Sequence, residues 1–121
     1  RLQLLGRALQ NMKVLTEHQT AYTTLTQDEL NAFDYVKGDT EGIVNYGLSI
    51  KGIVFTAIFI ENKEEKIIKI SFRSQGDFDV NQFARDHFNG GGHRNAAGGK
   101  SEVSMEETIR KFEDLVTKLK I

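Results

Sequence analysis

Residues 89–99 read Asn89-Gly90-Gly91-Gly92-His93-Arg94-Asn95-Ala96-Ala97-Gly98-Gly99. Five of these eleven positions are glycine, out of eleven glycines in the whole chain. Three glycines in succession imply a backbone path, or a close approach, that side chains would forbid. A loop of this kind can turn successive N–H groups towards one point and form a concave anion site. An imidazole, a guanidinium and a carboxamide follow at once in His93, Arg94 and Asn95. That set suits a phosphate or a nucleotide edge better than a hydrophobic core. Gly91, Gly92, His93, Arg94 and Asn95 are therefore candidate ligand contacts. The plainer alternative is a surface turn in which His93 and Asn95 bond their own backbone and Arg94 is solvated.

The flanking sequence supplies a frame for this loop. Before it, Asp79 can cap a helix whose apolar stripe is Val80, Phe83, Ala84, His87 and Phe88, ended by Asn89-Gly90. His87 on that stripe reads as a packed side chain, and Asp77 and Asp79 as turn and cap residues. After the loop, a short strand can run from Ala96 to Glu102. Ser104 with Glu107 then opens a last helix burying Met105, Ile109, Phe112, Leu115, Val116 and Leu119.

Further upstream, Ile53 to Ile60 is nearly unbroken apolar and β-prone, as in a strand covered on both faces. Glu61 to Lys66 is a charged turn. Ile67 to Arg73 alternates, with Ile68, Ile70 and Phe72 facing one way and Lys69, Ser71 and Arg73 the other. The two strands form a hairpin, and Arg73 stands on the polar face at the end of its strand. A guanidinium there can clasp a phosphate through two parallel hydrogen bonds.

Towards the N-terminus, His18 to Leu25 reads as a strand, and Thr26 with Glu29 as a capping box for a helix to about Tyr35. Asp39 or Thr40 is expected to cap a short helix holding Val44, Asn45 and Leu48. On such a helix Glu41 and Asn45, four apart, share a face. Leu2, Leu5, Leu9 and Met12 recur at helical spacing, so residues 1–15 read as the end of a linker helix. The order of elements gives an α/β (α+β) fold, a mixed β-sheet with helices packed on it.

Composition narrows the function. Apolar residues make 39% and charged residues 27%, ordinary for a soluble globular domain. No apolar run approaches membrane-span length and no signal peptide is visible, so no membrane partner is expected. The absence of cysteine excludes disulfides and thiolate metal sites and fits a cytoplasmic location. A net charge of −1 excludes a broadly basic nucleic-acid surface, so nucleotide binding must be local. His18, His87 and His93 are scattered, and no P-loop, G-x-S-x-G or zinc spacing occurs. Neither metal ligands nor catalytic residues are expected in this chain.

Three blocks in order carry a family resemblance. Gly90-Gly91-Gly92-His93-Arg94-Asn95-Ala96-Ala97-Gly98 resembles the GGGHxxAAG signature of the DHH-associated domain, the smaller C-terminal domain of DHH-family phosphoesterases. Asp39-Thr40-Glu41-Gly42-Ile43-Val44-Asn45-Tyr46 and Ser71-Phe72-Arg73-Ser74 resemble two further family segments. The likeness spans roughly residues 20 to 118 and is greatest to the oligoribonuclease and 3′-phosphoadenosine-5′-phosphate (pAp) phosphatase group. It implies that residues 16–121 are a substrate-binding domain for short RNA or nucleotides. It also implies a partner in cis, an N-terminal DHH catalytic domain absent from this chain, with a two-metal centre that is usually manganese. Glu41 and Asn45 then match positions lining the cleft between the two domains. A homodimer of the full-length protein is compatible with it. On this reading the isolated chain is inactive. Two other readings stay open, a cyclic- or linear-dinucleotide phosphodiesterase of the same superfamily and a non-catalytic RNA-binding module.

Overall fold

The computed structural model describes residues 1–119, and the structural statements below concern those residues. Six strands form one mixed sheet in the order β1-β2-β3-β4-β6-β5. They are β1 (Lys13–Leu15), β2 (Thr20–Leu25), β3 (Phe55–Asn62), β4 (Ile67–Ser74), β5 (Gly91–His93) and β6 (Ala96–Ser101). Only the β2–β3 pair is parallel. The helices are α1 (Leu2–Asn11), α2 (Gln27–Ala32), α3 (Val80–His87) and α4 (Met105–Thr117), with a 3-10 helix at Ile43–Ser49. The expected α+β class is what the chain adopts.

Alternation along the strands divides the core in two. Tyr22, Phe55, Ala57, Phe59, Ile68, Ile70 and Phe72 point to one face and pack with Val80, Phe83, Phe88, Phe112 and Val116 of the α3–α4 layer. Every phenylalanine except Phe33 belongs to this cluster. On the other face Leu25 and Ile58 meet Leu4 and Ala8 of α1, Leu30 of α2, and Ile43 and Val44. Strand β3 is thus covered on both sides, as its apolar run requires. The Tyr22 hydroxyl donates to the Glu113 carboxylate at the edge of the larger cluster. Burial first, and then Glu113, push the phenol above its usual range, so it stays a proton donor.

Several local expectations are corrected. Helix α1 buries Leu4 and Ala8, whereas Leu2 is 82% and Leu9 41% exposed. It ends at Asn11, and Lys13–Leu15 continues as an antiparallel edge strand on β2, so residues 1–15 are not one helix. Helix α2 stops at Ala32 because Asp34 takes a left-handed backbone, φ 51°. Strand β2 starts at Thr20, after a 3-10 turn at Thr16–His18 and a left-handed Gln19. Residues 120–121 of the expected domain lie outside the described residues.

Glu29 ties helices α1 and α2 together. It completes the capping box with Thr26, accepts from the Asn11 side chain at 2.9 Å and faces Arg7 at 3.7 Å. Burial raises its pKa, but the hydrogen bonds from Asn11 and Thr26 and the charge of Arg7 outweigh burial and hold it below the usual value. A lowered folded pKa means that Glu29 stabilises fully above the unfolded carboxylate range and that this is lost as pH falls through the folded value. Glu29→Ala should therefore cost about 1–2 kcal/mol near neutral pH. Urea titrations should show the gap to wild type narrowing in acid; a gap independent of pH would contradict the ionised role.

Candidate functional site

The glycine segment is an edge hairpin. Strands β5 and β6 pair antiparallel, with Gly91 opposite Gly98, Gly92 opposite Ala97 and His93 opposite Ala96. Arg94 and Asn95 form the two-residue turn. The expected anion nest is not formed here. The Gly92 N–H donates to Asn81 Oδ1 at 2.9 Å and the Gly90 N–H to Ala84 O at 3.2 Å, so neither aims at a common point. Glycine is needed for closeness instead. A Cβ at Gly90 would lie 1.9 Å from Gly98 O, and one at Gly92 would lie 2.7 Å from Ala96 O. Both obstacles are backbone, which cannot swing aside. Helix α3 supports the hairpin through Asn81, which also accepts from Arg85 Nε at 3.0 Å.

The turn is lashed to the loop between β4 and α3. Asn95 Nδ2 donates to Ser74 Oγ at 2.8 Å and to Gly76 O at 3.2 Å. The Ser74 N–H donates to Asn95 O at 3.0 Å, and Ser74 Oγ donates to Phe78 O at 2.7 Å. Arg94 Nη2 donates to Asp77 O at 3.1 Å, and Arg94 O accepts from the Val80 N–H at 2.8 Å. Asn95 is thus a brace with its amide N–H groups used, and Arg94 retains free donors on an exposed side chain. Asn81, one support of this arrangement, does not stand out in the sequence; Ser74, the other, closes the Ser71–Ser74 segment, but nothing there signals its bond to Asn95. The only sequence signal for Asn81 is its spacing of four from Arg85 on one helix.

Register brings the separate candidates together. His93 lies beside Ala96, Ala96 beside Arg73, and Arg73 beside Thr56 across four adjacent strands. Arg73 is half-buried; its Nη1 donates to Phe72 O at 2.9 Å, leaving the rest of the guanidinium available. His93 is exposed. Thr56 in turn fixes the 3-10 helix, because its Oγ1 donates to Val44 O at 2.8 Å. Gly47 rests on Thr56, where a Cβ would come within 2.5 Å of the threonine methyl. Exposed Asn45 is therefore held on the segment that sits over the strand next to Arg73.

Glu41 departs from expectation. The helix cap is Gly42, with φ 80°, and neither Asp39 nor Thr40. Asp39 instead accepts from the Val36 N–H at 2.9 Å. Glu41 lies before the left-handed residue, in a turn whose carbonyl accepts from Arg1 at 3.2 Å. It does not share a helix face with Asn45. His87 packs edge-on against Phe83, as its place in the stripe predicts. A depression of about 380 Å³ at the same end of the sheet is lined by Gln19, Val54 and residues 75–79, and by none of the candidates. Among the described residues no group of three or more His, Asp or Glu side chains could hold a metal ion, and no helix is long and apolar enough to cross a membrane.

A mixed sheet with this edge hairpin and this loop sequence defines a DHH-associated domain. The chain belongs to the DHHA1 domain family, whose model matches residues 18–119. It is similar to an exopolyphosphatase-related protein from Bacteroides fragilis, with 47% identity and a TM-score of 0.92 over 97% of this chain and 34% of that one. A pGpG-specific phosphodiesterase from Vibrio cholerae shares the fold at 16% identity and a TM-score of 0.66, over 97% of this chain and 37% of that one. The DHH domain of a member of a ribosomal-protein family does so at 17% identity and a TM-score of 0.61, over 99% and 31%. The chain spans about a third of the length of these structures. Comparison with curated proteins gives no match.

The packing account has a matched pair of tests. Gly90→Ala should destabilise by about 2 kcal/mol or more, since the backbone must move to admit the methyl. Gly98→Ala, whose Cβ would meet nothing nearer than 3.4 Å, should fall well below that in the same denaturant titration. Equal costs at the two sites would refute close approach as the reason for the glycines.

Proposed function

We propose that this domain binds the nucleotide part of the substrate in a metal-dependent phosphoesterase that acts on short RNA oligonucleotides, on pAp, or on both. The observation that carries the reading is the cross-strand row His93–Ala96–Arg73, which puts a guanidinium and an imidazole on strands either side of β6 with only a methyl between them. In this reading Arg73 holds a phosphate with two parallel hydrogen bonds, and His93 adds a third donor. Ala96 and Gly98 keep the surface low enough for a sugar-phosphate to approach, and Gly91 and Gly92 let the hairpin that carries His93 close. Arg94 adds charge at the rim, Asn95 fixes the turn, and Glu41 and Asn45 face the catalytic domain. Membership of the DHHA1 family supports the placing of a DHH catalytic domain in cis.

Manganese is the metal this family implies. The residues of this chain do not fit a site for it, because the donor set is missing among the described residues. In the proposal the metal belongs to the other domain. The share of this one is to position the phosphate, which lowers the entropic barrier to attack. The cytoplasm as location and a homodimer as the full-length form belong to the same proposal. A linear dinucleotide is the second substrate class to assay, because the Vibrio relative with this fold is pGpG-specific.

The test uses the protein that carries this domain together with its catalytic partner. Arg73→Ala should lower kcat/KM for pAp about ten- to a hundred-fold, the value of one charge-assisted hydrogen bond. Arg73→Lys should recover part of it, because the planar fork is lost. Metal content should not change. Loss of manganese from Arg73→Ala, or wild-type kinetics in both Arg73→Ala and His93→Ala, would overturn the clamp. The isolated domain should give no turnover of pAp or oligonucleotides with added manganese; reproducible metal-dependent turnover would sink the proposed division of labour.

A further inference from the structure

The polar face of β4 continues away from Arg73, and the neighbouring strand matches it residue for residue. Arg73 lies opposite Ala96, Ser71 opposite Gly98, and Lys69 opposite Lys100. Ile68, Ile70 and Phe72 are buried among the phenylalanines, so Lys69, Ser71 and Arg73 share the opposite face. The helical layer on that face packs over Leu25 and Ile58, on β2 and β3. Lys69 and Lys100 are both exposed beyond it. The middle of this lane is nearly flat, floored by Ser71 and Gly98. Two lysines directly opposite in neighbouring strands repel each other and weaken the pairing. Lys69 is partly neutralised by Glu65 at 3.6 Å, and Lys100 makes no ion pair among the described residues. The overall charge of −1 makes this local concentration more telling, since the cations are not a consequence of a basic chain.

From these observations we infer that the β4–β6 face is a track for the backbone of a single-stranded oligonucleotide, with Lys69 and Lys100 as a second phosphate site beyond the Arg73–His93 end. The inference rests on the proposed function and adds to it a length of substrate. Four residues along a strand cover roughly 13 Å. The roughly 3.4 Å per phosphate of a wound strand is its rise along the helix axis; laid along a flat lane, consecutive backbone phosphates stand farther apart, so the two ends of the track are about two nucleotides apart. A dinucleotide or pAp held at Arg73 spans at most one phosphate-to-phosphate step and does not reach the lysines, whereas a longer oligonucleotide such as a hexamer does. The track reads charge and not sequence, because the lane between its ends offers a hydroxyl and bare backbone only.

The test compares Lys69→Gln/Lys100→Gln with wild type in the full-length protein, using labelled oligoadenylates of two and six residues and pAp. For the hexanucleotide, affinity should fall about tenfold at low salt, and the slope of log K against log salt should drop by roughly 1.4, for two lost phosphate contacts on a single strand. For the dinucleotide and pAp both should stay within about twofold of wild type. Equal losses at both lengths, or an unchanged hexanucleotide slope, would overturn the track. Lys100→Gln alone, which leaves the Lys69–Glu65 pair in place, should give about half the change in slope and covers the case in which the double variant folds poorly. The outcome is separable from the phosphate clamp. Arg73→Ala weakens every substrate if the clamp is right, and the lysine variants act only on the long one.

Discussion

The burial of one face of β4 is the constraint on which the other features depend. Phe72 is fully buried, and its ring lies among those of Phe55, Phe83, Phe88 and Phe112. Removing a phenylalanine from such a place costs roughly 3–5 kcal/mol. Because side chains alternate, a slip of one residue would put Phe72 in solvent and Arg73 in the core. The same energy that holds Phe72 therefore fixes the face on which Arg73, Ser71 and Lys69 appear. Strand β6 is registered on β4, and β5 on β6, so His93 inherits its position from the phenylalanine core two strands away.

A second constraint is steric. Helix α3 ends under the hairpin, and its last turn, Asn89 and the glycine strand occupy a space with little room for Cβ atoms. The glycines are consequently a packing device that draws β5 in against α3. Their N–H groups at 90 and 92 are taken by Ala84 and Asn81. What remains for a ligand is a low edge with cationic side chains at its rim. In the proposed reading an anion is met here by Arg73, His93 and Arg94, whose side chains reach beyond the backbone.

Much of this is legible in the sequence where a periodic signal is long. The β3 run and the β4 alternation occupy eight residues each, and the last helix more than three turns, so hydrophobic period alone decides them. The failures occur where the signal is short or non-local. Strand β1 has three residues and β5 has two glycines and a histidine; neither length nor composition reveals a period. Their identity comes from the partner strand, which local sequence does not name. Glu41 and Asn45 share a face only if one helix holds both, and a single left-handed Gly42 separates them. Chemical type and family likeness pick out the candidate residues, but chemical type does not reveal which hydrogen bonds are already used. Asn95 shows this, since both of its amide donors are spent on Ser74 and Gly76.

The central claim is that sheet register places Arg73 and His93 on either side of Ala96, on a face proposed to meet phosphate. The most direct measurement is an NMR titration of the ¹⁵N-labelled full-length protein with pAp, following backbone amides and the Arg73 Nε. The account predicts the largest shifts at Arg73 Nε, His93, Arg94 and Ala96, with little change at Lys13–Leu15 on the far edge of the sheet. Shifts concentrated on that far edge, or an Arg73 Nε signal unmoved at saturating pAp, would contradict it.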